Sequence, residues 1–287
     1  MNCCLCSQTA VHISPRYCQA HFIAYFERKV LSTIKKYRLC RKQDRICVAA
    51  SGGKDSTALL FILRKHFPHV SALAIDEGIR GYRSQTLADL RRFCTKHRIT
   101  LDVVSFRQEA GMDLDQLVTG KRHPCTVCGI LRRHLLNTHA KNYDVLATGH
   151  NLDDEAQTIL MNLCTANRSY LPHSYPASKK IAGFTRRIKP LYFCTEKEVL
   201  LYAVLKGITG KFVECPYMHD SLRNDVRDSL NEYEQGHKGT KLGIVLKAYA
   251  VRSRLPFRDA AISYCKNCGE PSASELCSAC RIISAIP

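Results

Sequence analysis

The sequence predicts an α/β fold: a parallel sheet with helices on both faces and a small cysteine-rich module at each end. Three observations carry this. Short apolar, β-branched runs alternate with amphipathic stretches through the middle of the chain. Those runs are continuous rather than alternating, as expected of strands covered on both faces. Finally, Cys3-x-x-Cys6 and Cys18-x-x-His21 open the chain, and Cys265-x-x-Cys268 and Cys277-x-x-Cys280 close it. The expected organisation is a module over 1–24, a main domain over 25–250 and a second module over 251–287.

The elements follow in order. Residues 22–39 place apolar side chains at helical spacing with a basic opposite face. Ile46 to Ala50 is an apolar run that meets the loop Ser51-Gly52-Gly53-Lys54-Asp55-Ser56, and Thr57 to His66 continues as a helix. Val70–Ile75, Leu101–Phe106 and Val145–Thr148 read as further strands. Arg83–His97, Val127–Lys141, Asp153–Cys164, Glu196–Lys206 and Ser221–Gln235 read as helices. Residues 165–190 hold four prolines or glycines among many basic residues, which predicts a long loop.

The chain has 287 residues, 45% of them hydrophobic, enough to bury a core. No stretch approaches the roughly 18 uncharged apolar residues of a membrane span, and no apolar signal-peptide core opens it, so a soluble, cytoplasmic protein is expected. Lys plus Arg number 43 against 25 for Asp plus Glu, a formal charge of +18. A surplus of that size favours a polyanionic partner, because each neutralised phosphate releases counterions. The 16 cysteines do not fit a small secreted disulfide scaffold, which leaves metal ligation.

Each C-x-x-C turn points two thiolates at one ion, and two such pairs close a tetrahedral site. Cys265, Cys268, Cys277 and Cys280 therefore predict a zinc ribbon. Cys3, Cys6, Cys18 and His21 predict a Cys3His zinc site. Neither leaves an open position for chemistry, so both are structural. With two zinc ions bound the net charge stays near about +15.

The Ser51–Ser56 loop joins a strand to a helix. Its glycines let backbone approach an anion, the helix start supplies unpaired N–H groups, and Ser51, Ser56 and Lys54 add donors and charge. It is not the Walker pattern, which needs four residues between its glycine and Gly-Lys. An acidic Asp55 within a phosphate cradle makes sense as a magnesium ligand.

The SGGKDS loop at a first βα turn resembles the PP-loop ATP pyrophosphatases, which cleave ATP between its α- and β-phosphates. Together with PCTVCG (124–129), ATGHNLDDEAQ (147–157), ECPY (214–217) and the terminal cysteine sites, nearly the whole chain resembles the archaeal and eukaryotic tRNA 2-thiouridine synthases. The resemblance implies that Ser51, Gly52, Gly53, Lys54, Asp55 and Ser56 bind the pyrophosphate side and magnesium. It also implies that Gly149 and Asp154 close the nucleotide pocket, that Arg132 faces the phosphates, and that Ala74 or Ile75 meets adenine through backbone groups. Read from the residues alone, Asp153, Asp154 and Glu155 are also consistent with charges offsetting a helix dipole.

Cys125 and Cys128 open a helix after Pro124, and Cys215 precedes Pro216 far downstream. Three separated thiolates without a fourth partner suggest an unsaturated metal site. The resemblance implies a [4Fe–4S] cluster with one iron left open for hydrosulfide. A persulfide resolved by disulfide exchange and a third zinc are the other readings. A helix N-terminus also favours thiolate over thiol. The remaining cysteines, at positions 4, 40, 47, 94, 164 and 194, sit singly in apolar contexts and are expected in the core.

The expected reaction is adenylation of a uridine C2 oxygen by ATP, then sulfur attack at C2 with loss of AMP, with Asp55, Cys125 and Cys215 as the catalytic residues. Its expected partners are tRNA and a sulfur donor, either free sulfide or the thiocarboxylate of a ubiquitin-like carrier; a homodimer is also admitted. Asp76–Arg83 (DEGIRGYR) and the stretch through Met161-Asn162-Leu163 are closer to wobble-uridine enzymes than to those acting in the T loop. The rivals are another PP-loop enzyme, such as a lysidine synthase, which needs no cluster, and a non-catalytic zinc-ribbon RNA-binding protein.

Overall fold

A computed structural model of the chain describes residues 1–118, 123–165, 175–208, 210, 215–218, 222–252 and 263–285. A short hairpin, β1 (His12–Ile13) and β2 (Arg16–Tyr17), leads into α1 (Gln19–Lys36). Then come β3 (Ile46–Ala49), α2 (Lys54–His66), β4 (Val70–Asp76), α3 (Arg83–Lys96) and β5 (Thr100–Ser105). Two short helices follow, α4 (Phe106–Ala110) and α5 (Leu114–Leu117), before α6 (Pro124–His139), β6 (Val145–Thr148) and α7 (Leu152–Cys164). The rest is β7 (Arg186–Ile188), α8 (Glu196–Leu205), a 3-10 turn over Pro216–Met218, α9 (Leu222–Gly236), α10 (Thr240–Val251), the hairpin β8 (Ser263–Tyr264) and β9 (Pro271–Ser272), and α11 (Ser278–Ile283).

The five central strands pair in parallel in the order β5-β4-β3-β6-β7. Strand alternation sends Ile46 and Val48 to one face and Cys47 to the other, and both faces are buried. The first face packs under Phe22, Phe26 and Val30 of α1, Leu59, Leu60 and Leu63 of α2, Leu90 of α3 and Tyr202 of α8. The second packs under Leu114 of α5, Val127, Leu131 and Leu135 of α6, and Ala279 of α11. Capping boxes start α4 at Ser105, α5 at Asp113, α7 at Asn151 and α8 at Thr195. The chain leaves β3 towards β4 and β5, then returns beside β3 as β6. The crevice beyond the carboxyl ends of β3 and β6 is therefore the switch point where such sheets bind ligands.

Both terminal modules are anchored in the main body. His21 lies in α1, whose Phe22 and Phe26 are fully buried, so the boundary expected at 24/25 falls inside a continuous helix. The C-terminal module docks on α6: Glu270, 4% exposed, accepts from His134 Nδ1 at 2.8 Å and Thr138 Oγ1 at 2.9 Å.

Several expectations are corrected. β7 interrupts the expected 165–190 loop; within that span, residues 166–174 lie outside the described residues. Its two arginines hid it, since both their side chains reach away from the sheet to backbone carbonyls. α10 was not expected: it buries Val245 and Ala248 in the cluster it shares with α7 and α9 while Leu242 and Leu246 on its other side are exposed, so its apolar residues form no clear helical stripe. α2 begins at Lys54, three residues early, because the end of the phosphate loop is already its first turn. Cys47, Cys94 and Cys194 are core residues and Cys40 is half-buried, but Cys4 and Cys164 are exposed. No helix among the described residues is long and apolar enough to cross a membrane.

Candidate active site at the switch point

The loop after β3 is shaped by two glycines. Gly52 has φ +85°, and a Cβ there would stand 2.6 Å from the Thr86 carbonyl oxygen, so no side chain fits. Gly53 caps α2 with its N–H directed at Ser51 Oγ (3.3 Å). Ser56 Oγ lies 3.1 Å from Ser51 Oγ and accepts the Ser51 N–H at 3.2 Å, closing the turn on itself. Gly149, beyond β6, lets the neighbouring loop press on this turn: a Cβ there would sit 2.8 Å from the Ser56 nitrogen.

Beside this cradle, Asp55 accepts from Asn151 Nδ2 at 3.1 Å, and Lys54 Nζ bridges Asp55 (3.1 Å) and Glu196 (2.7 Å). Burial raises the Asp55 pKa, with Lys54 and Asn151 acting against it. Asp154 is pushed up to about 6, chiefly by burial in the cleft, with Asp55's charge adding and the Asn151 N–H opposing. Two desolvated carboxylates, the charge of one raising the pKa of the other, are the donor chemistry a hard divalent cation neutralises, so the residues fit magnesium. Asp153 and Glu155 point elsewhere. Asp153 is buried against Lys241 and the Glu196 N–H, and Glu155 pairs with Lys189 at 2.6 Å, so both hold the fold.

The opposite wall carries the three cysteines. Cys125 and Cys128 stand in the first turns of α6, and the 3-10 turn brings Cys215 to them, with Cys125 Sγ 3.4 Å from the Tyr217 carbonyl oxygen. Burial pushes the Cys128 thiol up to about 12 and raises Cys215 too. At Cys128 burial outweighs the opposing charge of Arg132. Three thiols brought together from α6 and the 3-10 turn are a donor set that fits a [4Fe–4S] cluster with one iron left open.

The two terminal sites contrast with this. Cys6 and Cys18 sulfurs are 3.7 Å apart, and His21 Nδ1 lies 3.3 to 3.6 Å from Cys3, Cys6 and Cys18. At the other end, Cys268 and Cys277 are 3.8 Å apart. Each foursome fits one tetrahedral zinc without an open position.

A buried arginine clasps the two walls together. Arg83, 3% exposed, donates to the Ser51 carbonyl at 2.5 Å and to the Ile75 carbonyl, and its Nε lies 2.8 Å from Glu77 Oε2. Glu77 Oε1 in turn faces Arg132 NH1 of α6 at 3.7 Å. Ile75 therefore has its carbonyl occupied. Ala74 directs its backbone to β5, since the Leu73 carbonyl bonds towards β3 and strand residues alternate. Sequence reasoning named Arg132 but missed Glu77, Arg83, Asn151 and Glu196 as site residues. Asn151 had a signal in its capping-box spacing to Asp154, and Glu77 and Arg83 stand in the DEGIRGYR stretch; Glu196 had none, because its partners Lys54 and Asp153 are distant in sequence.

A PP-loop domain model matches residues 23–234. The chain is 36% identical to a tRNA-5-methyluridine(54) 2-sulfurtransferase of Pyrococcus horikoshii, over 98% of this chain and 93% of that one. It is 33% identical to the cytoplasmic tRNA 2-thiolation protein 1 of Candida glabrata, over 94% and 81%. The structure of the U34-tRNA thiolase NcsA from Methanococcus maripaludis with its [4Fe–4S] cluster superposes with a TM-score of 0.83 at 32% identity, covering 98% of this chain and 95% of that one. Phosphate loop, cysteine wall and likeness along nearly the full length agree, and this chain belongs to the PP-loop family of tRNA-thiolating sulfurtransferases.

Proposed function

We propose that the protein thiolates the wobble uridine of tRNA at C2 in the cytoplasm, using ATP and magnesium, a [4Fe–4S] cluster on Cys125, Cys128 and Cys215, and two structural zinc ions. The observation that supports this reading is the Arg83 clasp, which ties the Ser51 loop to Glu77 and, through Glu77, to Arg132 of the cysteine-bearing helix. Asp76–Arg83, the segment that resembles wobble-uridine enzymes, is the stretch that forms the clasp.

In the first step the uridine C2 oxygen attacks the α-phosphorus, an O–P bond forms, and pyrophosphate leaves. Ser51, Gly53 and Ser56 cradle the phosphates, and Asp55 with Asp154 would hold the magnesium ion, which would offset phosphate charge. Lys54 must exchange Glu196 for phosphate oxygen to stabilise the departing charge. In the second step sulfur forms a bond to C2, and the original oxygen departs on AMP. When bound, the cluster supplies an iron with an open position for sulfur delivered as sulfide or by a carrier thiocarboxylate. Arg132, between Glu77 and the thiols, offsets negative charge on that wall. The uridine must leave its stack to enter the crevice.

The test uses anaerobically reconstituted protein and two tRNA transcripts, each lacking one of the two uridines at positions 34 and 54. The expected result is 2-thiouridine by nucleoside mass spectrometry, with one AMP formed per thiolation, only where position 34 is present. Thiolation confined to position 54 sinks the wobble assignment, and AMP without thionucleoside points to another PP-loop chemistry.

A further inference from the structure

At the end of the sheet away from the crevice, where β3, β6 and β7 begin, lies a groove of about 780 Å³. Arg41, Lys141, Lys180 and Arg186 line it, with Tyr143 and Phe184 half-buried in its walls. We propose that this groove is a second RNA-docking surface, gripping the phosphodiester backbone of the tRNA at an arm remote from the reacting uridine. This rests on the tRNA-modifying reading above.

The groove is assembled rather than incidental. Arg41 comes from the stretch 35–45, which holds six Lys or Arg against one acid, Asp44, and Lys180 and Arg186 come from 179–187, which holds four Lys or Arg and no acid. These stretches lie far apart in sequence, and Arg186 NH1 joins them by donating to the carbonyls of Arg38 (3.1 Å) and Leu39 (2.9 Å). The two aspartates on its rim are engaged locally. Asp44 accepts the Arg41 N–H at 2.7 Å; Asp144 accepts the Arg45 N–H at 2.7 Å and faces Arg45 Nε at 3.7 Å.

Arg41, Lys141 and Lys180, by contrast, are exposed, and their side chains have no carboxylate within ion-pair reach among the described residues. Cationic side chains kept unpaired around a concavity match a polyanion's backbone and read no bases. A Cβ added to Gly183 on the rim would lie 3.2 Å from Pro271 and 3.8 Å from Tyr264, so the surface continues onto the C-terminal ribbon, where Tyr264 is 52% exposed. Groove and crevice open at opposite ends of the same parallel strands, so RNA engaged by both must pass round the domain, which assigns the groove to a part of the folded tRNA away from the reacting loop.

The test compares wild type with Arg41→Ala/Lys141→Ala/Lys180→Ala, using full-length tRNA and the isolated stem-loop that bears the modified uridine, across a salt series. For full-length tRNA the variant should bind at least about tenfold more weakly, and its log–log salt slope should be shallower by about 3, one for each phosphate no longer neutralised. Stem-loop and ATP affinities should stay within about twofold of wild type, since neither ligand is expected to reach these side chains. An unchanged slope for full-length tRNA overturns the proposal. So does an equal loss for the stem-loop, which would place the groove on the reacting arm, or a changed oligomeric state with tRNA affinity intact. If wild type itself binds neither RNA, the tRNA-modifying reading fails first and this one with it.

Discussion

Replacing Arg83 by Met should destabilise the protein and loosen the phosphate loop together. The side chain is 3% exposed and serves the Ser51 and Ile75 carbonyls, the Thr86 hydroxyl and Glu77. Its removal leaves Glu77, itself 5% exposed, with Arg132 at 3.7 Å as its remaining cation. Breaking a buried pair from one side costs about 3–5 kcal/mol, because the surviving charge stays desolvated. For a chain of this size that is a fall in melting midpoint of about 6–20 °C, at about 2–4 °C per kcal/mol. Lys at position 83 should recover only part of it, since one ammonium cannot fork between two carbonyls and a carboxylate. The double variant Arg83→Met/Glu77→Gln should be less unstable than the sum of the single variants by about 1–3 kcal/mol. Thermal unfolding of zinc-loaded protein and ATP titration are the assays. A midpoint within about 2 °C of wild type, or strict additivity in the double variant, would refute the clasp.

Asp55→Ala should keep the wild-type circular dichroism and zinc content yet form no AMP; turnover within about threefold of wild type removes it from the chemistry, since losing a cation ligand should cost far more. Alanine at Cys125, Cys128 or Cys215 should each abolish iron uptake, from about four irons per chain, while ATP still binds; iron-free protein thiolating at the wild-type rate would make these cysteines sulfur carriers instead. Cys277→Ala should lower zinc content and melting midpoint, because ribbon metal binding supplies folding free energy on the order of 10 kcal/mol. Asp154, raised to about 6 from 3.8, binds more protons folded than unfolded between those values. Ligand-free stability should therefore fall as pH rises from about 4 to about 6, and Asp154→Asn should flatten that slope in pH-dependent melting.

The strands and the phosphate loop were legible because their signals are local: Ile46–Ala49 and Val145–Thr148 are unbroken apolar runs, and a glycine pair follows the first. Both terminal four-residue clusters were legible from cysteine spacing. β7 was not, because a strand at the sheet margin can begin Arg-Arg when both side chains find backbone carbonyls off the sheet. The clasp was not legible either. Arg83 bonds to a carbonyl 32 positions earlier, and Glu77 meets an arginine 55 positions later (132 − 77), pairings that only the register of β3 and β4 and the docking of α6 create.

The helix that presents Cys125 and Cys128 also carries, further along, His134 and Thr138, the two groups that receive Glu270. Ala279 of the ribbon shares a core with Val127 and Leu131 of the same helix. Order in the ribbon is therefore order in α6: with the Cys265–Cys280 module unfolded, Glu270 and Ala279 have no fixed place, and α6 loses the support beneath its cysteine-bearing turns. On the proposed function, stripping metal from the ribbon is then expected to weaken the hold of Cys125 and Cys128 on their cluster from across the domain.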